Sequence, residues 1–338
     1  MKIQLPYKYC DVISVENLLL AWQEFILGKR NKPDVQKFSL DLMDNVLLLH
    51  HELANHSYEH GSYQAFNICD PKPRHIHKAS VRDRLVHHAV YHLLYPFFDK
   101  TFIADSFSCR IGRSTHKAIN RFREFAYQVS QNNTKTCWVL KCDAQKFFAS
   151  IDQAILLKIL QVYIPDRDIM RLLQKIIKSF TTAPYKGLPL GNLTSQLFAN
   201  VYLNEFDQFV KHHLKVKYYI RYADDFVVLS SDRDWLRLQI SLLQRFLEER
   251  LYLILHPQKI LLQTLASGID FLGWVHFPHH RVLRTTTKQR MMQRLKEHNA
   301  PETVQSYLGL LRHGNTFKMR QEVMNSAWLW SDLEFSGR

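Results

Sequence analysis

Paired cysteines, metal-finger spacings, long apolar runs and low-complexity tracts are all missing from this 338-residue chain. The five cysteines, Cys10, Cys69, Cys109, Cys137 and Cys142, form an odd set without CxxC spacing. That argues against a zinc site and a disulfide framework, and the expectation is buried thiols in a reducing compartment. No apolar run approaches the ~20 residues of a membrane-crossing helix. Met1-Lys2-Ile3-Gln4-Leu5-Pro6-Tyr7-Lys8 lacks the apolar core of a signal peptide, so a soluble, cytoplasmic protein with no membrane partner is expected. Histidine is plentiful, but His75-Ile76-His77 and His87-His88 have no HExxH-type context. Basic or packing roles are expected for them, and none is assigned a function.

Acidic residues are in deficit, 31 against 45 Lys and Arg, for a formal charge of +14 with histidine neutral. Such a field attracts polyanions and makes their binding salt-dependent. At 46% hydrophobic residues the chain can bury a large core, divided among two or three subdomains.

Against that basic background, two acids stand together in Tyr218-Tyr219-Ile220-Arg221-Tyr222-Ala223-Asp224-Asp225-Phe226-Val227-Val228-Leu229-Ser230. The apolar flanks read as strand, turn, strand. Adjacent carboxylates at the tip of a buried hairpin repel each other and resist desolvation, a conflict that a divalent cation removes. A solvated turn is the plain alternative. Trp138-Val139-Leu140-Lys141-Cys142-Asp143 is a second apolar strand ending in an acid, 81 residues before Asp224 (143 to 224), far enough for neighbouring strands of one sheet. Asp143 alone would read equally well as a helix cap. Taken with the hairpin it completes a carboxylate set suited to two Mg²⁺ ions and in-line phosphoryl transfer.

Elsewhere the spacing predicts helices over 12–27, 38–53, 81–98 and 236–251, with a break at Gly28-Lys29-Arg30-Asn31-Lys32-Pro33. Cys109 to His116 is a basic turn entering a helix, either a phosphate cradle or an ordinary capped start. Gly187-Leu188-Pro189-Leu190-Gly191 is a loop, and Thr194 or Ser195 begins an apolar helix. Tyr252 to Leu255 reads as a strand, Gly268 to Phe277 as a tight hairpin, and the basic tail from Arg281 as helical.

This order of motifs resembles the reverse transcriptases of the bacterial group II intron-like lineage over roughly residues 60–330. Asp143 falls on that family's first catalytic aspartate, and Tyr222-Ala223-Asp224-Asp225 matches its YADD box. The resemblance implies an α+β right-hand polymerase fold with an antiparallel palm sheet. Residues 1–135 would be N-terminal helices and fingers, 136–278 palm with a fingers insertion at about 153–186, and 279–338 a helical thumb. It further implies that Asp143, Asp224 and Asp225 are catalytic and, with the carbonyl of Ala144, hold two Mg²⁺ ions, Mn²⁺ being an acceptable substitute. Arg74, Arg84, Phe148, Leu190, Gly191, Gln196 and Lys259 would meet the incoming deoxynucleotide. Among them Phe148 would be the gate against a 2′-hydroxyl, and Lys259 an aid to pyrophosphate departure or a plain surface lysine. Arg110, Arg113, Tyr222, Gly268, Phe271, Leu272 and Gly273 would follow template and primer, the last four in a primer-grip hairpin. Gly191 would let the backbone approach the nascent pair.

One departure narrows the resemblance. Where intron and retron enzymes carry Gln-Gly, this loop reads Leu190-Gly191, followed by Asn192-Leu193-Thr194-Ser195-Gln196. That pattern is similar to the reverse transcriptases of diversity-generating retroelements. These copy a template-repeat RNA into cDNA with errors at adenines, together with a small basic oligomeric accessory variability protein. Expected partners are therefore that RNA, the RNA/cDNA duplex, dNTPs and the accessory protein.

Overall fold

The computed structural model describes residues 3–69, 73–298 and 300–325. The chain opens with four helices, α1 (Tyr9–Ile13), α2 (Val15–Phe25), α3 (Pro33–Leu40) and α4 (Leu42–Ala54), then the hairpin β1 (Gln64–Ile68) and β2 (Arg74–Lys78). Helices α5 (Val81–Asp99) and α6 (Thr115–Val129) lead into β3 (Trp138–Asp143) and the short α7 (Phe147–Ser150). Then come α8 (Gln153–Tyr163), α9 (Arg167–Lys178) and α10 (Leu193–Gln208), followed by β4 (Tyr219–Tyr222), β5 (Asp225–Ser230), α11 (Arg233–Leu251) and β6 (Leu261–Thr264). Three short strands, β7 (Ile269–Phe271), β8 (Trp274–His276) and β9 (Arg281–Leu283), precede α12 (Thr285–Glu297) and α13 (Pro301–Leu311).

The central sheet runs β4-β5-β3-β6, and each of its neighbouring pairs is antiparallel. Its two inner strands, β3 and β5, are nearly continuous apolar runs covered on both faces. Side chains alternate along a strand, and here Leu140, Cys142, Phe226 and Val228 enter the main core with α5, α8, α10 and α11. Val139, Val227 and Leu229 enter a second core against Ala118, Phe122 and Phe125 of α6. The three-stranded β7-β8-β9 sheet closes that second core with Ile269 and Phe271. On the same face Trp274, paired with Phe271 and Leu283, packs with Leu283 on Met291, Leu295 and Leu311 of the C-terminal helices. Mixed helix and antiparallel sheet is thus the observed class, and among the described residues no helix is long and apolar enough to cross a membrane.

Several expectations need correction. The helix foreseen over 38–53 is broken at Asp41 (φ −115°, ψ 43°), where the Asn45 side chain takes up the Phe38 carbonyl at 3.1 Å. Residues 252–255 form no strand: Tyr252 turns left-handed (φ 49°) to end α11, and only Leu255 bridges, to Ala144. The segment from Arg281 first adds β9 before turning helical. Of the cysteines, only Cys137 and Cys142 are buried; Cys10, Cys69 and Cys109 are exposed. Part of the tail lies outside the described residues.

The C-terminal helices approach Trp274 without clearance at Gly314. A Cβ on that glycine would stand 2.1 Å from the buried indole, whereas one on Gly309, inside α13, would meet nothing within 4 Å. Gly309→Ala is therefore expected to raise stability by up to about 1 kcal/mol through helix propensity. Gly314→Ala should lower it by about 1–3 kcal/mol through overpacking, and urea unfolding of the two variants checks the opposite signs.

Candidate active site

Antiparallel pairing sets Asp143, the last residue of β3, directly opposite Asp225, the first of β5. Asp224 completes the turn between β4 and β5, where the non-glycine Ala223 is left-handed (φ 54°). By strand alternation Asp143 and Asp225 lie on the face that α6 covers farther along, at the end where that cover stops. All three acids are half-buried.

Burial and then the Asp143 charge push the Asp224 carboxyl above its ordinary range. Asp225 is pushed up to about 6, chiefly by burial and further by Asp143 and Asp224, while Lys141 opposes the rise. Desolvation is thus the main cause and carboxylate repulsion the second, and all-oxygen donors of this kind fit hard divalent cations. The arrangement is not a closed cage. Among the described residues no three acidic, histidine or cysteine side chains converge as a ready metal site, and the Lys259 ammonium stands 2.9 Å from Asp143. Beside Asp143, the Ala144–Leu255 bridge is made by Gln145 N–H on the Ile254 carbonyl and His256 N–H on the Asp143 carbonyl. Neither bond uses the carbonyl of Ala144.

What holds the turn is a pair of residues that carried no signal in the sequence. Arg221, 1% exposed, forks onto Asp207 of α10, 0% exposed, with Nε to Oδ1 at 2.8 Å and Nη2 to Oδ2 at 2.6 Å. Its Nη1 donates to the Ala223 carbonyl at 3.0 Å and to Asn200 Oδ1 at 3.2 Å. Tyr219 donates to Asp207 Oδ1 at 2.7 Å. A lone arginine two residues before an acidic turn looks like surface charge until the fold supplies Asp207. Lys141, also unassigned, donates to the Asp270 carbonyl at 2.7 Å.

The remaining expected residues divide. Arg74 opens β2 and lies within electrostatic reach of Asp224, whose carboxyl it helps to lower. Phe148 is half-buried, edge-on to Phe147, and its carbonyl accepts from Leu188 N–H at 2.9 Å. The carbonyl of Leu190 accepts from His77 N–H at 2.9 Å, and Asn192 Nδ2 donates to the His77 carbonyl at 3.1 Å, so the loop is clamped to β2. Gly191 is left-handed (φ 106°), and the atom nearest to a Cβ there is Ile76 Cγ2 at 2.8 Å. Its close approach is thus to β2. Gln196 is half-buried on α10. The Tyr222 hydroxyl is 3.0 Å from Thr115 Oγ1.

Arg84 is not brought to the acids: it pairs with Asp34 at 2.6 Å and stacks over Phe25. Arg110 is buried, with Nε on Asp99 at 2.6 Å and Nη1 on the Ile103 and Ser106 carbonyls. In the basic turn that follows, Ser114 caps α6 by accepting from Lys117 N–H. Arg113 is exposed, over the ring of Phe107. In the β7–β8 hairpin Leu272 and Gly273 are both left-handed (φ 52° and 85°), the signature of a tight two-residue turn. Phe271 is fully buried under that turn, and Gly268 (φ 86°) sits against Phe277.

His87 also carried no functional signal in the sequence. It is 1% exposed, with Nδ1 2.6 Å from Thr194 Oγ1 at the start of α10 and Nε2 3.0 Å from His60.

A family model described as reverse transcriptase (RNA-dependent DNA polymerase) matches residues 70–276, more than half of the chain. Protein YkfC of Escherichia coli K12 is 27% identical over 256 residues, 63% of this chain and 64% of that protein. The group II intron-encoded protein LtrA of Lactococcus lactis subsp. cremoris is 24% identical over 264 residues, 57% of this chain and 42% of that protein. The chain thus spans less than two thirds of either relative. A solved telomerase from Candida albicans shares the fold, with a TM-score of 0.51 at 10% identity over 68% of this chain and 48% of that one.

Two outcomes test the site's framework. Asp207→Asn leaves the buried Arg221 guanidinium without its counter-charge and should cost about 3–5 kcal/mol in urea unfolding. Burial holds His87 down to about 3 in the folded chain, against an ordinary histidine value of 6.5. The unfolded chain therefore takes up the proton first as pH falls. The stability that neutral His87 contributes is complete above 6.5 and drains away between 6.5 and about 3, amounting to about 2 kcal/mol by pH 5. Unfolding of wild type and His87→Gln at neutral pH and about pH 5 should give the shallower pH slope in the variant.

Proposed function

The chain belongs to the reverse transcriptase family, and from that premise we propose that it is an RNA-directed DNA polymerase working at the Asp143, Asp224 and Asp225 cluster. The observation that carries this reading is the pairing of Asp143 with Asp225 across β3 and β5, beside Asp224 at a turn held from behind by Arg221. Mg²⁺ ions at that cluster would supply charge neutralisation for the attacking 3′-hydroxyl and the leaving pyrophosphate. The three carboxylates hold the ions, with the Ala144 carbonyl available beside them. Lys259 starts on Asp143 and is within reach to receive or protonate departing phosphate, and Arg74 faces the triphosphate with a charge-assisted fork. Phe148 is the gate against the 2′-hydroxyl.

In this reading β1 and β2 with their clamped loop are fingers, the four-stranded sheet is the palm, and the C-terminal helices are the thumb. The β7–β8 hairpin grips the primer, and the template strand is RNA. The finer assignment is a cytoplasmic enzyme of a diversity-generating retroelement, making adenine-mutagenised cDNA from a template-repeat RNA with an accessory variability protein. Leu190-Gly191 and Ser195-Gln196 support it. Leu190 offers no side-chain hydrogen bond where related loops offer glutamine, and apolar contacts discriminate by only ~1–3 kcal/mol. A faithful intron-type enzyme is the second reading, favoured by the likeness to the intron-encoded LtrA.

Primer extension on a defined RNA template with Mg²⁺, with cDNA sequencing, tests both levels. Wild type should extend, and Asp224→Asn should lose synthesis while still binding RNA. Errors concentrated opposite template adenine carry the retroelement assignment. Faithful cDNA returns the chain to the intron group, and no synthesis with any metal or accessory protein would sink the polymerase itself.

A further inference from the structure

A second site lies at the opposite end of the β7-β8-β9 sheet from the Leu272-Gly273 turn. There a pocket of about 570 Å³ opens between α6, the turn joining β8 to β9, and residues 312–315. Among the described residues Arg123, Arg281, Arg312, His279, His280 and His313 line it, and no aspartate or glutamate does. Among the described residues no carboxylate pairs with any of the three arginines. Among the described residues Arg281 bonds only to neutral groups, giving Nη2 to Asn120 Oδ1 at 2.8 Å and Nε to the His313 carbonyl, while its buried Nη1 has no partner there. His276 in the same wall is 2% exposed, and its Nε2 is likewise without a partner among the described residues. Burial and then the Arg123 charge lower Arg281 from its ordinary value, and burial and then Arg281 hold His276 down to about 3.

Like charges gathered without a counter-charge are relieved by an anion, as unpaired carboxylates are by a cation. A phosphate offers several acceptors to several cations at once, and guanidinium forks match it. Tyr127 on the rim beside Arg123 is 50% exposed, an aromatic of the kind on which bases stack. We infer that this pocket binds the phosphate of a nucleotide unit, with Tyr127 against its base. The unit is either a free nucleotide or one residue of a strand. The site is separate from the carboxylate cluster and stands whether or not the chain makes DNA.

Diethylpyrocarbonate labelling of His279, His280 and His313, read by mass spectrometry without divalent metal, tests it locally. The probes are inorganic phosphate, AMP and a short single-stranded RNA. At least one should slow labelling of all three histidines severalfold. Protection by phosphate or AMP identifies a free-nucleotide site, and protection by RNA alone a strand site. Arg123→Gln/Arg312→Gln, with its thermal unfolding midpoint compared with wild type, should lose the protection, and Arg123→Gln alone should lose part of it. Unchanged labelling with every probe, or equal protection in the arginine variants, overturns the inference.

Discussion

The fork of Arg221 onto Asp207 is the contact on which the acidic end of the sheet depends. Both partners are out of water, and such a pair is held only if its geometry satisfies both groups. Here Tyr219, Asn200 and the Ala223 carbonyl complete it. The consequence is mechanical. The same guanidinium that anchors β4 to α10 also holds the carbonyl of the left-handed turn residue, so the orientation of Asp224 and Asp225 is set from the interior. Carboxylates that repel one another would otherwise splay a hairpin tip, and α10, buried on nearly every side, provides the rigid footing against that repulsion.

Loop and hairpin on the other flank are built by the same economy of backbone. Leu190 and Asn192 grip His77 from both sides, and Gly191 gives up its Cβ to let Ile76 in. The β1–β2 hairpin, whose residues are largely exposed, thus gains its tie to the core through a loop that precedes α10. The buried His87–Thr194 contact fixes the same helix from behind. One helix therefore receives the basic hairpin at its start and the acidic turn near its end.

The parts of this architecture carried by local chemistry were readable in advance. The two acidic strands, their adjacency, the β7–β8 hairpin and the long helices α5 and α11 follow from apolar runs and turn residues. What stayed hidden depends on distant partners. Nothing near Arg221 announces Asp207, nothing near His87 announces Thr194, and Arg84 and Arg110 look like free cations until Asp34 and Asp99 arrive. The missed break at Asp41 and the lost strand at 252–255 have a related cause. The Asn45 side chain takes up the Phe38 carbonyl at the first, and at the second the left-handed Tyr252 that ends α11 leaves only Leu255 to bridge to Ala144.

The sheet's two covered faces have a consequence for how the chain finds its pairing. In a strand with one wet face, a slip of one residue is punished at every position, because apolar and polar sides exchange. In β3 the swap would trade one apolar interior for another, so Val139, Leu140 and Cys142 enforce little. Discrimination falls to Lys141 and Asp143. In a slipped ladder both charges would rotate into the helical core, away from the Asp270 carbonyl and Lys259. The residues that give this end of the sheet its chemistry therefore also proofread its assembly.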